Sequence, residues 1–291
     1  MGHQHSHSNE DSNIKLAFFM NLAFTIIEIF GGIMINSVAI LSDALHDLGD
    51  SISLGLAWFL QDFSKKESNE LYSYGYRRYS LLAALINTTV LIIGSFLILY
   101  RAMPRLLSPE ATNATGMIGF AILGILVNAV AALKTRGGSS LNERVVSWHL
   151  LEDVLGWVAV FIVGVIMYFK DIYILDPLLS IGITIFILFN VFKNFKETIL
   201  LFLQTVPDEI DLKKVISNFN NIDGVLDSHH THIWSLDSEN HVLSTHLVVG
   251  NNIKTNEVIR VKKEAREIIK KMHIEHVTIE IELEDEDCGI M

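Results

Sequence analysis

The sequence predicts an all-α membrane domain of six helices followed by a small α+β domain, ordered α-β-β-α-β and ferredoxin-like in type. Three observations predict it. Half of the 291 residues are hydrophobic and the mean hydropathy is +0.38, which places the chain among membrane proteins. The apolar residues crowd the part before about residue 205, in runs near the roughly 20 residues that cross a bilayer. The remainder reads as short strands and amphipathic helices of soluble type. The expected division is a His-containing tail over residues 1–13, a six-span domain over 14–205 and a soluble domain over 206–291.

The spans are expected at Ile14–Ile35, Val38–Leu60, Ser80–Tyr100, Thr115–Leu133, Val145–Phe169 and Ile172–Phe192. Basic residues in short loops set orientation. Lys65, Lys66, Arg77 and Arg78 follow the second span, and Lys134, Arg136 and Arg144 follow the fourth. The opposite side carries Arg101, Arg105 and Lys170. Both termini are therefore expected in the cytoplasm. The lone Cys288 excludes an internal disulfide and suits a reducing compartment. The net charge of −11 argues against nucleic acid as a partner, and Met1–His7 lacks the basic and apolar regions of a signal peptide.

Two polar pairs interrupt the apolar runs: His46 with Asp50 in the second span and His149 with Asp153 in the fifth. Residues four apart share a helix face. At 1.5 Å per residue and a core of about 30 Å, His46 and Asp50 lie about 12 and 18 Å below the outer surface, and Asp153 and His149 about 13 and 20 Å. The antiparallel spans thus bring both pairs to one depth. A charged side chain at mid-membrane costs roughly 2.5–3.5 kcal/mol even on the mildest scale, so two matched pairs point to use.

Two imidazoles and two carboxylates suit a tetrahedral Zn²⁺ site and neutralise a divalent ion. Calcium and magnesium favour more oxygen ligands or retained water, whereas cobalt, cadmium and iron stay open. The same groups bind protons, and metal binding needs them deprotonated, so protons and metal compete for the site. Four protein ligands leave no position for a catalytic water and no His-Glu-x-x-His occurs, so no enzyme and no prosthetic group are expected. Of the other intramembrane acids, Glu28, Asp43, Asp47, Glu152 and Asp176, Asp43 lies nearly on the face of His46, whereas Asp47 and Glu152 point elsewhere. Asp176-Pro177 is expected to start the sixth span, with proline in its first turn.

At Ser42–Asp50, Tyr74–Arg78, His149–Gly156, Asp176–Ser180 and His230–Leu236 the chain resembles the cation diffusion facilitator family, in its bacterial zinc, cobalt and cadmium exporter branch. The resemblance implies a homodimeric, proton-coupled exporter of divalent ions in the bacterial inner membrane, with His46, Asp50, His149 and Asp153 as transport ligands. It implies that His46 favours zinc and that Arg78 helps hold the dimer near the membrane. The Lys65–Glu70 loop and the Lys134–Ser140 loop lack histidine, so neither is expected to bind metal as in some relatives. A metal sensor or scaffold that moves no ion stays open as the alternative.

In the soluble domain a helix is expected from Pro207 to Phe219 with Asp208 as its cap, then strands Val225–Trp234 and His241–Val249, a helix Asn256–Lys271 and a last strand His276–Glu284. The resemblance suggests metal positions at His232 and His246. A period of two puts Glu280 and Glu282 on one face. The expected ligands are His232, His246 and Glu282, with Glu280 and Cys288 in reserve; His229 and His230 either join them or lie on the surface. His3, His5 and His7 either gather metal loosely or form an incidental polar tail.

Overall fold

The computed structural model describes the backbone of residues 7–64, 68–135, 141–237, 239–270, 272 and 274–289. It describes their side chains except at 7–17, 54, 57, 58, 60–64, 131, 132, 134, 135 and 141–150. The two metal-free loops and the three N-terminal histidines expected from the sequence lie wholly or partly outside these residues.

Six long helices come first: α1 (His7–Ile35), α2 (Val38–Ser64), α3 (Tyr79–Leu107), α4 (Ala114–Thr135), α5 (Leu141–Lys170) and α6 (Leu175–Phe202). Four of them, α1, α3, α5 and α6, carry stretches long and apolar enough to cross a membrane, and Ala114–Val130 in α4 is a shorter apolar one. α2 is as long as its neighbours, but Asp43, His46, Asp47 and Asp50 lower its hydropathy. The chain is an integral membrane protein. Side chains such as Phe96, Leu97, Phe186 and Phe189 stand exposed, a surface that water would penalise and lipid accepts.

Two apolar clusters fix α2 and α5. Ile35, Ala39, Ile40, Met117, Ala121, Trp157 and Val160 join α1, α2, α4 and α5. On another side of α2, Leu45 meets Leu91 of α3 and Ile187 and Val191 of α6. Gly49 lets Leu91 of α3 pack close: a Cβ there would lie 2.6 Å from a Leu91 methyl, so a larger residue beside Asp50 would force that side chain to repack.

The α1–α2 corner turns at Asn36, at φ 60°, a left-handed conformation that asparagine tolerates. Its carbonyl accepts hydrogen bonds from Arg105 and Thr112. Asp176 does enter the first turn of α6 as expected, and it also serves α2. Its carboxylate accepts from Ser37 Oγ at 2.5 Å, Val38 N at 2.8 Å and Ala39 N at 3.3 Å. These amides have no partner within their own helix, so a residue far along the chain caps α2.

The C-terminal domain contains α7 (Leu212–Asn220), β1 (Val225–Ser235), β2 (His241–Val249), α8 (Thr255–Lys270) and β3 (Ile274–Leu283). α7 starts later than expected. Asp211, extended and accepting from the amides of Lys213 and Lys214, is the cap rather than Asp208, because Pro207–Ile210 closes a separate turn. The sheet order is β1-β2-β3. β1 pairs antiparallel with β2, and β2 pairs parallel with β3 through the α8 crossover, so the sheet is mixed. Val215, Phe219, Val261, Ala265 and Ile269 of the helices cover Ile233, Leu243 and Leu247 of the sheet.

The segment over residues 60–82 groups with this C-terminal domain. Arg77 forms a two-pronged ion pair with Glu275, and Tyr74 meets His276 edge-on at 5.4 Å. The Arg77 guanidinium holds the Glu275 carboxyl below its ordinary value.

Asp176→Ala should lower the stability of the protein by about 1–2 kcal/mol, the range for loss of a helix cap. A thermal melt in detergent reads it, and an unchanged midpoint would show that α2 needs no cap from α6.

Candidate metal sites

In the membrane domain the structure brings together three of the four expected residues. His46 Nε2 lies 3.9 Å from Asp50 Oδ2 and 3.7 Å from Asp153 Oδ1. These gaps exceed a hydrogen bond. They approach the edge of a tetrahedron, about 3.3 Å when metal–ligand bonds are about 2.0 Å. The His46 and Asp50 side chains keep 32% and 31% of their surface exposed and Asp153 keeps 11%. His149 belongs to α5, one turn before Asp153; its side chain lies outside the described residues.

Asp43 and Asp47 are buried at 7% and 6% exposure, and Glu28 of α1 is fully buried. Asp47 is expected to point away from the site; its backbone carbonyl accepts from the Asn21 amide of α1, which also donates to Ser51 Oγ. Glu28 carried no assigned role in the sequence. The signal for it was its spacing from Asn21 and Thr25, which puts the three on one face of α1.

The second site lies in the C-terminal domain. His246 Nδ1 approaches Glu282 Oε1 at 2.5 Å. His229 Nε2 lies 2.9 Å from Glu282 Oε2 yet lacks the alignment of a hydrogen bond, as expected of groups that face a common point. Cys288 Sγ is 3.5 Å from His246 Nδ1. One ligand atom from each of His229, His246, Glu282 and Cys288 falls within 4.8 Å of the others. One sulfur, two imidazole nitrogens and one carboxylate suit zinc or cadmium.

His246 and Glu282 thus stand where expected and Cys288 leaves the reserve, but His232 stays outside. The cause is a register shift between His229 and His232, with His230 at φ 45°. The shift pairs His229 with His246 and moves His232 opposite Ser244, where it is exposed. A bulge depends on backbone geometry that alternation cannot reveal. Glu280 Oε2 reaches His246 Nε2 at 3.4 Å from the rim.

Burial alone would raise the Glu282 carboxyl, but hydrogen bonds with Cys288 and His246 and the charge of His229 and His246 hold it below its ordinary value. It therefore stays ionised as pH falls from neutrality.

Helices with an intramembrane His–carboxylate site and a small domain with a second such site define a metal-handling membrane protein. Comparison with known proteins agrees. Residues 14–203 match the "Cation efflux transmembrane domain" and residues 207–284 the "Cation efflux protein, cytoplasmic domain". The chain belongs to the cation efflux family. It is 33% identical to the "Cadmium, cobalt and zinc/H(+)-K(+) antiporter" of Bacillus subtilis over 98% of this chain and 93% of the relative. It is 32% identical to the "Metal cation efflux system protein CzcD" of Cupriavidus metallidurans over 97% and 90%. With the "Zinc transporter ZitB" of Pectobacterium atrosepticum it shares 30% over 99% and 92%.

Cys288→Ser should abolish the thiolate-to-metal charge-transfer band of the cadmium-loaded protein. Glu282→Ala should weaken zinc binding to the C-terminal site by about 10–100-fold, read by competition with a chelating dye. A cadmium spectrum unchanged by Cys288→Ser would remove the thiol from the site.

Proposed function

We propose that the protein exports Zn²⁺ from the cytoplasm in exchange for protons, with Cd²⁺, Co²⁺ and Fe²⁺ as further candidate cargo. The approach of His46 to both Asp50 and Asp153 carries this reading. It joins a donor from α2 to one from α5, and the reading takes His149, one turn before Asp153, as the fourth ligand. Family membership, and relatives named for cadmium, cobalt and zinc, favour transport over sensing alone.

The cycle follows from the ligands. Zn²⁺ enters from the cytoplasm, loses water and binds His46, Asp50, His149 and Asp153. Two carboxylates neutralise the ion, so the loaded site carries no net charge through the low-dielectric bundle. The helices then open the site outward, and protons from the outside displace the ion because imidazole and carboxylate cannot hold both. The protonated site returns and releases its protons inward.

This reading takes α1 to α6 as six spans with both termini in the cytoplasm. It takes the protein as a homodimer, held through the C-terminal domain and near Arg78, whose Nη2 is buried without a hydrogen-bond partner among the described residues. The site of His229, His246, Glu282 and Cys288 is regulatory: metal bound there stiffens the C-terminal domain and favours transport.

Asp50→Ala or Asp153→Ala should abolish zinc flux in proteoliposomes while the protein still folds and dimerises. Zinc uptake into wild-type vesicles should move protons the other way and slow when the pH gradient is collapsed. Undiminished flux in either variant would end the assignment of the transport site.

A further inference from the structure

Cys288 is the only cysteine in the chain, so no other site within one copy can contain a thiolate. The His46 site gathers imidazole and carboxylate. The C-terminal cluster gathers the same donors and adds sulfur. The two sites of one molecule therefore differ in softness.

The fold holds the thiol in place. Beyond β3 the chain turns back: Glu284 N donates to the Val249 carbonyl and Glu286 N to the Leu283 carbonyl, each at 2.9 Å. Asn251 and Asp285 bond to each other twice across this turn. Cys288 Sγ then stands 3.5 Å from His246 Nδ1. A sulfur and a nitrogen on one tetrahedral zinc lie about 3.6 Å apart, from bonds of about 2.3 and 2.0–2.1 Å. His246 and Glu282 are buried at 9% and 4% exposure, and the buried Nε2 of His229 has no hydrogen-bond partner among the described residues. β1, β2, β3 and the turn beyond it each supply one donor.

A thiolate is a soft donor and gains most from a soft ion. Of the candidate cargo ions, Cd²⁺ is the softest. Two imidazoles and a carboxylate complete a four-coordinate set for a divalent ion. A cargo site must also let go, and protons evict metal from imidazole and carboxylate. A site that reads metal without moving it escapes that limit and can use sulfur.

We propose that the site of His229, His246, Glu282 and Cys288 is a cadmium-selective sensor, tuned by its thiolate to a softer ion than the transport site prefers. The inference rests on the reading of this site as regulatory. Cadmium then raises the export of zinc at concentrations too low to compete for the transport site.

Binding is read on the full chain in lipid nanodiscs, with Asp50→Ala to disable the transport site. Equilibrium dialysis with radioactive cadmium and zinc should show Cd²⁺ bound at least about tenfold more tightly than Zn²⁺. Cys288→Ser should bring that ratio to one or below, and Cys288→Ala should do so if the serine variant does not fold. Flux is read in proteoliposomes that keep Asp50. With zinc below the level that saturates the sensor, Cd²⁺ at about one-tenth of the zinc concentration should raise zinc flux by about half, because a site with tenfold preference fills with both ions equally. Cys288→Ser should lose that rise. Equal affinity for the two ions, or a preference or flux rise that survives Cys288→Ser, would overturn the proposal. A cadmium preference without any effect on zinc flux would leave the selectivity standing and overturn the regulatory reading instead.

Discussion

Negative charge buried between membrane helices is the constraint on which the rest of this structure depends. Lipid supplies no water to solvate a carboxylate, so each acid needs a donor, a cation or a proton. Asp176 finds donors in the open amides of α2 and becomes architecture. Asp50 and Asp153 approach His46 from two helices and form the candidate metal site. Glu28 lies buried with Asp47 and Asp43 close by. One physical demand gives the bundle its cap, its candidate metal site and the buried polar residues between α1 and α2.

That demand explains the apolar scaffold as well. Ligands on α2 and α5 are useful only if they hold their spacing, because a tetrahedral ion tolerates displacements of only a few tenths of an ångström. The cluster around Ile40, Met117 and Trp157 ties α2 to α5, and Leu45 with Leu91 and Ile187 braces α2 from another side. The tight approach at Gly49 removes slack next to Asp50. His46 and Asp50 stay partly exposed beside a more enclosed Asp153.

The C-terminal domain works with the same ligand types under different physics. Water is near, so its charges cost less, and a thiol joins the set. β3 carries Glu282 near one end and Glu275, paired with Arg77, near the other. β3 thus links the candidate metal cluster at Glu282 to the contacts with Arg77 and Tyr74 near its other end.

Much of this was legible in the residue order. Hydrophobic run length marks a span without any knowledge of its neighbours, and four-residue spacing places His46 over Asp50 because helix geometry is local. Alternation located β2 to the residue. The partners of Asp176 and Glu28 were not legible, since each lies on a different helix from the groups it meets and no periodicity within one element encodes a contact with another. The choice of His229 over His232 also escaped, because a single bulge reverses which side chains face the neighbouring strand. The sequence by itself determined which groups were available and along which faces they lie, because those follow from local geometry. Only the tertiary structure decided which of them meet, because that depends on how separate elements pack.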